Sequence, residues 1–284
     1  MPTGHAVPLA SIAAYLDDFL RIREVPDEEN AVNGLEAENA SGEVTRIVAA
    51  VDASLETIEG VIGRKDGKTE GRSALSSEGP ARRPGPGSPD HPLLLVHHGL
   101  FWDGNVPLTG RRYRRVRALL DQDIALYAAH IPLDVHPEVG NNHVLARQIG
   151  LGGIEPFDSY RGIPIGVRGV LDYETPREAL VARVEQLLGA AAKLIPGGPA
   201  LSLRVGIITG GAGGRIAAAR EAGLDTYLTG EGAHHTFFDA MELGVNAIFA
   251  GHYATETVGV KALAEHLSRK FAVPWEFHDH PTGL

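Results

Sequence analysis

The sequence predicts an α/β protein whose sheets are covered by helices on both faces. Short runs of β-branched and aliphatic residues alternate with amphipathic segments along the 284 residues, which is the pattern of repeated strand–helix units. Several of the apolar runs end abruptly on a histidine or an acidic residue. Because ligands of open α/β sheets gather at the carboxyl ends of strands, these polar ends are the first candidates for a functional site.

The composition excludes several classes of protein. The chain has 26 Lys and Arg against 36 Asp and Glu, a formal net charge of −10, which disfavours nucleic-acid binding and docking on anionic lipid. It has no cysteine, so any metal must be held by imidazole and carboxylate groups. The first residues lack the basic segment of a signal peptide, and no apolar run approaches the roughly 20 residues that span a bilayer. A cytoplasmic protein is expected.

The elements before the first histidine pair are predicted from apolar periodicity. Residues 9–23 carry apolar side chains at helical spacing, residues 44–52 form a β-branched strand, and residues 53–60 form a short helix closed by glycine. Residues 61–91 are dominated by Gly, Pro, Ser and charge, which is typical of a flexible surface insertion. A lid over a site is the alternative for such a long loop.

A tandem histidine ends the next apolar run. Leu93–Val96 form a short buried strand, which is followed directly by His97 and His98. Neighbouring side chains of an extended backbone point to opposite sides, so two metal ions lying side by side could each take one imidazole. The alternative is a pair of hydrogen-bonded loop residues.

A basic helix and a second histidine-ended strand follow. Residues 111–120 contain five arginines, for which phosphate binding and a solvated helix face are both possible, and charge patterning favours the solvated face. Residues 124–130 form a strand that ends on His130, and Asp134 comes four residues later. A lone aspartate is usually a turn residue, but a carboxylate placed here could also bridge two cations.

The second half repeats the alternation of strands and helices. The predicted strands are 167–171, 204–209, 226–229 and 246–250, and the predicted helices are 143–149, 175 to about 194, 215–222 and about 256–271. The strand 204–209 is followed by GGAGG at 210–214, which could cradle a phosphate or could simply be a tight turn. His252 follows the last strand, and a helix beginning near it would place Glu256 on the same face.

Five residues at strand ends together suit a metal centre: His97, His98, Asp134, His252 and Glu256. Their three imidazoles and two carboxylates are enough to hold two divalent ions and to leave positions open for water, an arrangement that is typical of catalysis. Because each residue follows a strand, all five can lie at one edge of a sheet. The sequence thus predicts a dinuclear site.

The blocks VHHGLFWDG, IPLDVHPEVGNN and GHYATETVGVKALAEHL, together with NAVNGLE, VTRIVAAVDAS and GGAGG…TGE, resemble the NIF-three-like family of dinuclear-metal-centre hexameric proteins. Members are often labelled GTP cyclohydrolase I type 2 homologues. The resemblance implies two interlocked α/β domains with mixed sheets and a toroidal homo-hexamer, a trimer of dimers. We expect one domain over 1–131 plus 251–284, which carries the metal site, and a second over 132–250.

The same resemblance implies roles for single residues. His97 and His98 would each hold one metal, Asp134 and Glu256 would bridge the two metals, and His252 would be a further ligand. His130 would lie close to the metals. Where many members have an acidic residue followed by a histidine, this chain has Glu231 followed by His234 and His235, so either histidine could face the site.

The predicted function is a metal-dependent hydrolase that uses metal-activated water, either GTP cyclohydrolase-like or active on a nucleotide or phosphoester. Two divalent ions per chain, Zn, Fe or Mn, are the expected cofactors, and His130 or Glu231 is the expected proton shuttle. The alternative is a non-catalytic assembly that stores or delivers metal or regulates a partner. Nucleic-acid binding through the basic helix is disfavoured by the net charge.

Overall fold

The computed structural model describes residues 5–63 and 90–284. Its strands are β1 Val7–Pro8, β2 Gly34–Ala37, β3 Glu43–Val44, β4 Arg46–Asp52, β5 Pro92–His98, β6 Ala125–Ala128, β7 Leu151–Tyr160, β8 Ile163–Pro176, β9 Lys193–Pro196, β10 Leu201–Ile207, β11 Thr226–Thr229, β12 Asn246–Phe249 and β13 Trp275–Phe277. Its helices are α1 Leu9–Phe19, α2 Leu55–Gly63, α3 Gly110–Asp121, α4 Ile131–Asp134, α5 Asn141–Gln148, α6 Arg177–Leu188, α7 Ile216–Glu221, α8 Thr236–Leu243 and α9 His252–Phe271. Within the described residues, no helix is long and apolar enough to cross a membrane.

The chain separates into two compact units that are each discontinuous in sequence. The first unit draws its described residues from Met1–Phe19, Glu29–Ala129 and Ala264–His280, and the second comprises Leu20–Glu28, His130–Leu263 and Pro281–Leu284. The domain boundaries expected from the sequence stay a prediction. Most of the predicted insertion at 61–91 lies outside the described residues, but α2 continues to Gly63, so the helix ends three residues later than predicted.

The first unit contains a five-stranded sheet with the order β13-β4-β5-β6-β2, in which only the β2 edge strand is antiparallel. A parallel strand buried on both faces should be almost continuously apolar, and β5 is buried at its first six positions. Its apolar side chains pack with residues of α2 and α3. The register pairs Asp52 with His98, which places a carboxylate beside the tandem histidine at the carboxyl edge.

The second unit contains a six-stranded mixed sheet with the order β7-β8-β10-β11-β12-β9. Its three central strands are parallel, and the flanking pairs are antiparallel. Successive side chains of a strand point to opposite faces, and accordingly Leu228 packs with Leu180 and Leu145, whereas Tyr227 packs with Ile216 and Ala240. Both faces of this sheet are therefore covered, and the predicted α/β class is confirmed.

The structure corrects several predicted boundaries. The helix predicted from residue 175 begins at Arg177, because Thr175 still pairs with Ser202 in the sheet. This helix ends at Leu188, since Gly189 adopts φ 67° and closes it. Of the long hairpin formed by β7 and β8, the sequence predicts only a strand over 167–171. Glycines and charged residues interrupt the apolar alternation of the rest.

Two corrections bear on the candidate site. β6 ends at Ala128, so His130 lies outside the strand and precedes the short helix α4, which ends with Asp134. Asp134 therefore belongs to a helical turn. The last helix begins at His252, four residues earlier than its predicted start, so His252 and Glu256 lie one turn apart on one face, as the spacing required.

Candidate metal centre

The tandem histidine lies at the end of β5 with both rings oriented by hydrogen bonds. His97 is fully buried and His98 is half-buried, and their ring centroids are 4.7 Å apart. Nδ1 of His97 lies 2.9 Å from the carbonyl oxygen of Ala129, and Nδ1 of His98 lies 2.8 Å from Oδ1 of Asp52. Because both partners are acceptors, each Nδ1 carries the proton. The lone pair of each neutral ring therefore lies on Nε2.

His130 is oriented in the same way within the second unit. Its Nδ1 lies 2.7 Å from Oδ1 of Asp27, while Oδ2 of Asp27 accepts the backbone N–H of Ile131 at 2.9 Å. The Asp27 side chain is only 5% exposed, so little water can compete for these two hydrogen bonds. Asp27 thus fixes both the ring of His130 and the backbone that follows it.

His252 lies between two carboxylates of the second unit. Its Nδ1 is 2.9 Å from Oε1 of Glu231, and its Nε2 is 3.2 Å from Oε1 of Glu256. Glu256 raises the pKa of His252 to about 9 and Glu231 adds to this, although burial opposes it. Since a metal ligand must be deprotonated, ligation through Nε2 requires this ring to release a proton.

Asp134 is held by a polar network that comes from two other elements. Its Oδ1 accepts hydrogen bonds from Nδ2 of Asn141 at 2.8 Å and from Oγ1 of Thr209 at 3.3 Å. The amide oxygen of Asn141 in turn accepts the backbone N–H of Gly259 at 2.7 Å, and Asn142 accepts that of Thr209 at 2.9 Å. The two asparagines are almost fully buried, so the network rigidly fixes the carboxylate.

The GGAGG turn makes room for Glu256. A Cβ at Gly210 would overlap Oε1 of Glu256, and Glu256 is only 2% exposed. The backbone of Gly210 is already used, because its N–H donates to Oγ1 of Thr255 and its carbonyl accepts the N–H groups of Gly230 and Glu231. This geometry supports the tight-turn interpretation of the motif.

In all four histidines Nδ1 lies within hydrogen-bond distance of an oxygen acceptor, and in His252 Nε2 also lies 3.2 Å from Oε1 of Glu256. Metal-ligating histidines almost always donate their other ring N–H to a carboxylate or carbonyl in this way. The histidine and glutamate groups described here could hold a metal ion, and their nitrogen and oxygen donors suit Zn, Mn or Fe. Within the described residues, neither His234 nor His235 belongs to these groups.

Sequence reasoning missed the residues that orient the ligands. Asp27 and Thr209 lie 103 and 75 residues from the side chains they hold, and no local pattern marks them or Asn141. Asp52 was recognisable, since it ends the strand that pairs with the histidine strand.

Comparison with known proteins identifies the family. The model of the family described as Duf34/NIF3 (NGG1p interacting factor 3) matches residues 89–282. The chain belongs to this family. Among relatives of this Duf34/NIF3 chain, the "GTP cyclohydrolase 1 type 2 homolog" of Deinococcus radiodurans is 41% identical and the one of Pyrococcus abyssi is 39% identical. The matches cover 96% of this chain in both cases, and 93% and 98% of the two relatives.

Solved structures agree with this assignment. The protein TTHA1606 from Thermus thermophilus superposes with a TM-score of 0.79 at 35% identity, over 98% of this chain and 100% of that chain. The protein ybgI, described as of unknown function, superposes with a TM-score of 0.82 at 30% identity over the same shares. The resemblance and the α/β fold predicted from the motifs are therefore confirmed.

Proposed function

We propose that this Duf34/NIF3 chain binds two divalent metal ions through His97, His98, Asp134, His252 and Glu256, and that it uses them for hydrolysis. The observation that carries the proposal is the common orientation of the histidine rings, whose Nδ1 atoms are all engaged by oxygen acceptors. Such a bond fixes the tautomer and the orientation of a ring, as metal ligation through the other nitrogen requires.

The residues of the chain would divide the work as follows. Zn, Fe or Mn ions, when bound, would supply Lewis acidity and would lower the pKa of water. Asp134 and Glu256 would hold the ions through their carboxylates, which neighbouring side chains orient. His97, His98 and His252 would bind through Nε2.

Two further side chains would move protons. The Nδ1–H of His130 is bonded to Asp27, so its Nε2 can accept a proton when the ring is neutral. Glu231 is half-exposed and bonded to His252, so its carboxylate can exchange a proton with solvent or with a substrate. We propose His130 and Glu231 as the acid–base groups of the reaction.

The proposed substrate class is supported by the names of the relatives and by the chemistry of the site. The relatives carry the name "GTP cyclohydrolase 1 type 2 homolog", and we propose the same class for this chain: ring-opening hydrolysis of GTP, or hydrolysis of another nucleotide or phosphoester. The acidic net charge of −10 favours a small-molecule substrate over a nucleic acid.

The test compares Glu256→Gln with Glu265→Gln, a matched change at a half-exposed position of the same helix. Turnover of GTP and of a generic phosphoester should fall about 100-fold or more in Glu256→Gln, the scale on which loss of one electrostatic or proton-transferring group acts. Circular dichroism should stay unchanged, and Glu265→Gln should keep wild-type rates. Wild-type turnover in Glu256→Gln would contradict a hydrolase. Bound metal that exchanges readily, without any turnover in the wild type, would instead indicate metal storage or delivery.

We also propose that the chain works in the cytoplasm as a homo-hexamer, as the family resemblance implies. Light scattering on the purified protein should give six times the mass of the 30.2-kDa chain. A monomeric mass at micromolar concentration would contradict this assembly.

A further inference from the structure

A second pair of histidines follows the last strand of the first unit. His278 and His280 come directly after β13, and the N–H of His278 donates to the carbonyl oxygen of Ala49 at 2.8 Å, so the pairing with β4 continues to His278. Side chains two residues apart on an extended backbone point to the same side. Accordingly, the two rings lie close together, with centroids 6.2 Å apart.

One nitrogen of each ring faces the same space beside helix α2. A Cβ built on Gly60 would lie 3.2 Å from Nδ1 of His278 and 3.5 Å from Nε2 of His280. Both nitrogens therefore lie within 3.5 Å of one point. A side chain at this position of α2 would enter the space between the two rings, and the glycine keeps it open.

The other nitrogen of each ring faces a carboxylate. Nε2 of His278 lies 3.3 Å from Oε1 of Glu276, and Nδ1 of His280 lies 3.7 Å from Oε1 of Glu56. A carboxylate beside one ring nitrogen favours the proton on that nitrogen and the lone pair on the other. The lone pairs of both rings are thereby directed to the space beside Gly60, which is how carboxylates prepare histidines for metal ligation.

Glu276 is itself held in place. Nη1 of Arg46 donates to Oε1 of Glu276 at 2.9 Å, and Nε of Arg46 donates to Oδ1 of Asp90 at 2.8 Å. His278 is only 4% exposed, so its ring is fixed by burial as well as by Glu276. The carboxylates of Glu56, Asp90 and Glu276 outnumber the guanidinium of Arg46 in this cluster, which favours a cation.

We propose that His278 and His280 bind one divalent transition-metal ion beside Gly60. Imidazole ligands suit Zn, Ni or Cu, whereas Mg and Ca prefer oxygen. A zinc ion lies about 2.0–2.1 Å from each imidazole nitrogen, and rotation of the half-buried ring of His280 toward His278 would bring both nitrogens to one ion. The ion would tie the last strand to α2 and stabilise the folded chain.

This site is separate from the candidate metal centre and does not depend on the proposed hydrolase. In the sheet, β4 lies between β13 and the strand β5 that carries the tandem histidine. Two strand spacings, about 10 Å in all, therefore separate the strands that carry the two pairs. With two protein ligands the ion keeps several positions for water, so it should bind more weakly than an ion with three or four protein ligands.

The test measures zinc binding by equilibrium dialysis at buffered free zinc, on the wild type, His280→Ala, His98→Ala and His235→Ala. His235→Ala is the matched control, since His235 is an exposed histidine of the other unit. The wild type should bind about one equivalent of zinc that His280→Ala loses or binds about 10-fold or more weakly. His98→Ala and His235→Ala should keep this equivalent, and zinc should raise the melting temperature of the wild type more than that of His280→Ala.

Gly60→Ala tests where the ion lies. The added methyl group would enter the space between the rings, whereas alanine favours the helix more than glycine does, so α2 should not be weakened. Zinc affinity should fall about 10-fold, the scale on which disturbance of a ligand's surroundings acts. Wild-type zinc affinity in Gly60→Ala would overturn the placement of the ion.

Zinc binding that is equal in the wild type and His280→Ala overturns the proposal. If His98→Ala loses no zinc of its own, the proposed metal centre fails, and the effect of His280→Ala still decides whether the second site exists. Should His280→Ala not fold, His280→Gln decides, because glutamine keeps a polar side chain of similar length without the imidazole. Wild-type zinc affinity in that variant overturns ligation by His280.

Discussion

His97 and His98 reach their positions through one strand, whereas Asp134, His252 and Glu256 come from elements more than 100 residues apart in the chain. The first pair is fixed by the backbone of β5, which is hydrogen-bonded to strands on both sides. The second set is fixed by side-chain bonds among buried polar residues. The first unit therefore positions its candidate ligands by strand register, and the second unit positions its candidate ligands by a polar network.

Substitutions in the two units should therefore have different effects. A strand buried in a sheet holds its residues even when one supporting side chain changes, so changes in the first unit should act mainly on metal affinity. The second unit depends on close backbone approaches and on a buried polar network, so changes there should act on folding. Two substitutions test this contrast, and a third sharpens it by replacing a buried carboxylate of the first unit that belongs to no metal-binding group; they follow in order of decreasing effect.

Gly230→Ala should cause the largest loss. A Cβ at this buried position would lie 2.6 Å from the carbonyl oxygen of Gly210 and 2.7 Å from Cα of His252, and backbone atoms have little room to move. We expect the free energy of unfolding to fall by about 3 kcal/mol, measured by chemical denaturation. Gly214→Ala is the control, since its Cβ would meet nothing within 4 Å. Equal stability of the two variants would show that the network tolerates a shift of His252.

Asp52→Asn should act on metal binding alone. Asparagine can still accept the Nδ1–H of His98, but it removes the negative charge that strengthens the ring as a ligand. Metal affinity should fall about 10- to 100-fold, as measured by competition with a chelator. Stability should hardly change because the Asp52 side chain is 38% exposed. Asp18→Asn, at an exposed position of α1, is the control. Unfolding of the Asp52→Asn variant would contradict the claim that strand pairing alone holds the two histidines in place.

Glu36→Gln should have the smallest effect and one that depends on pH. Burial raises the pKa of Glu36 from 4.5 to about 7, while the N–H of Leu100 opposes the shift. Because the folded state favours the protonated carboxyl, the wild type loses stability as the pH rises from about 4.5 to about 7 and does not regain it above. Glutamine keeps an acceptor for Leu100 without the buried charge.

The variant should therefore match the wild type near pH 5 and exceed it by about 1 to 2 kcal/mol at pH 8, in urea unfolding at both pH values. If the free energy of unfolding has the same pH dependence in the wild type and the variant, ionisation of Glu36 does not destabilise the folded protein.

The same contrast decides which features the sequence could predict. The tandem histidine was predictable because an apolar run and its polar end are contiguous, and the pair His252 and Glu256 was predictable because four residues make one helical turn. The family motifs then indicated that these separate blocks belong to one site.

The remaining features depend on contacts between distant residues. Nothing in the sequence around Asn141 indicates that it joins Asp134 to Gly259. No apolar run marks the strand Gly34–Ala37, because it is short and lies at the edge of its sheet. The hairpin of β7 and β8 lacks a continuous apolar run. Its place in the sheet depends on the pairing of β8 with β10, which no local sequence pattern indicates.

Metal content tests the central claim most directly. Elemental analysis would be made on protein purified without added metal, for the wild type, for His98→Ala and for His234→Ala, an exposed histidine outside the metal-binding groups. We predict about two equivalents of transition metal per chain in the wild type and in His234→Ala, and a clear loss in His98→Ala. Less than about half an equivalent in the wild type, after repletion with Zn, Mn and Fe, would contradict the metal centre.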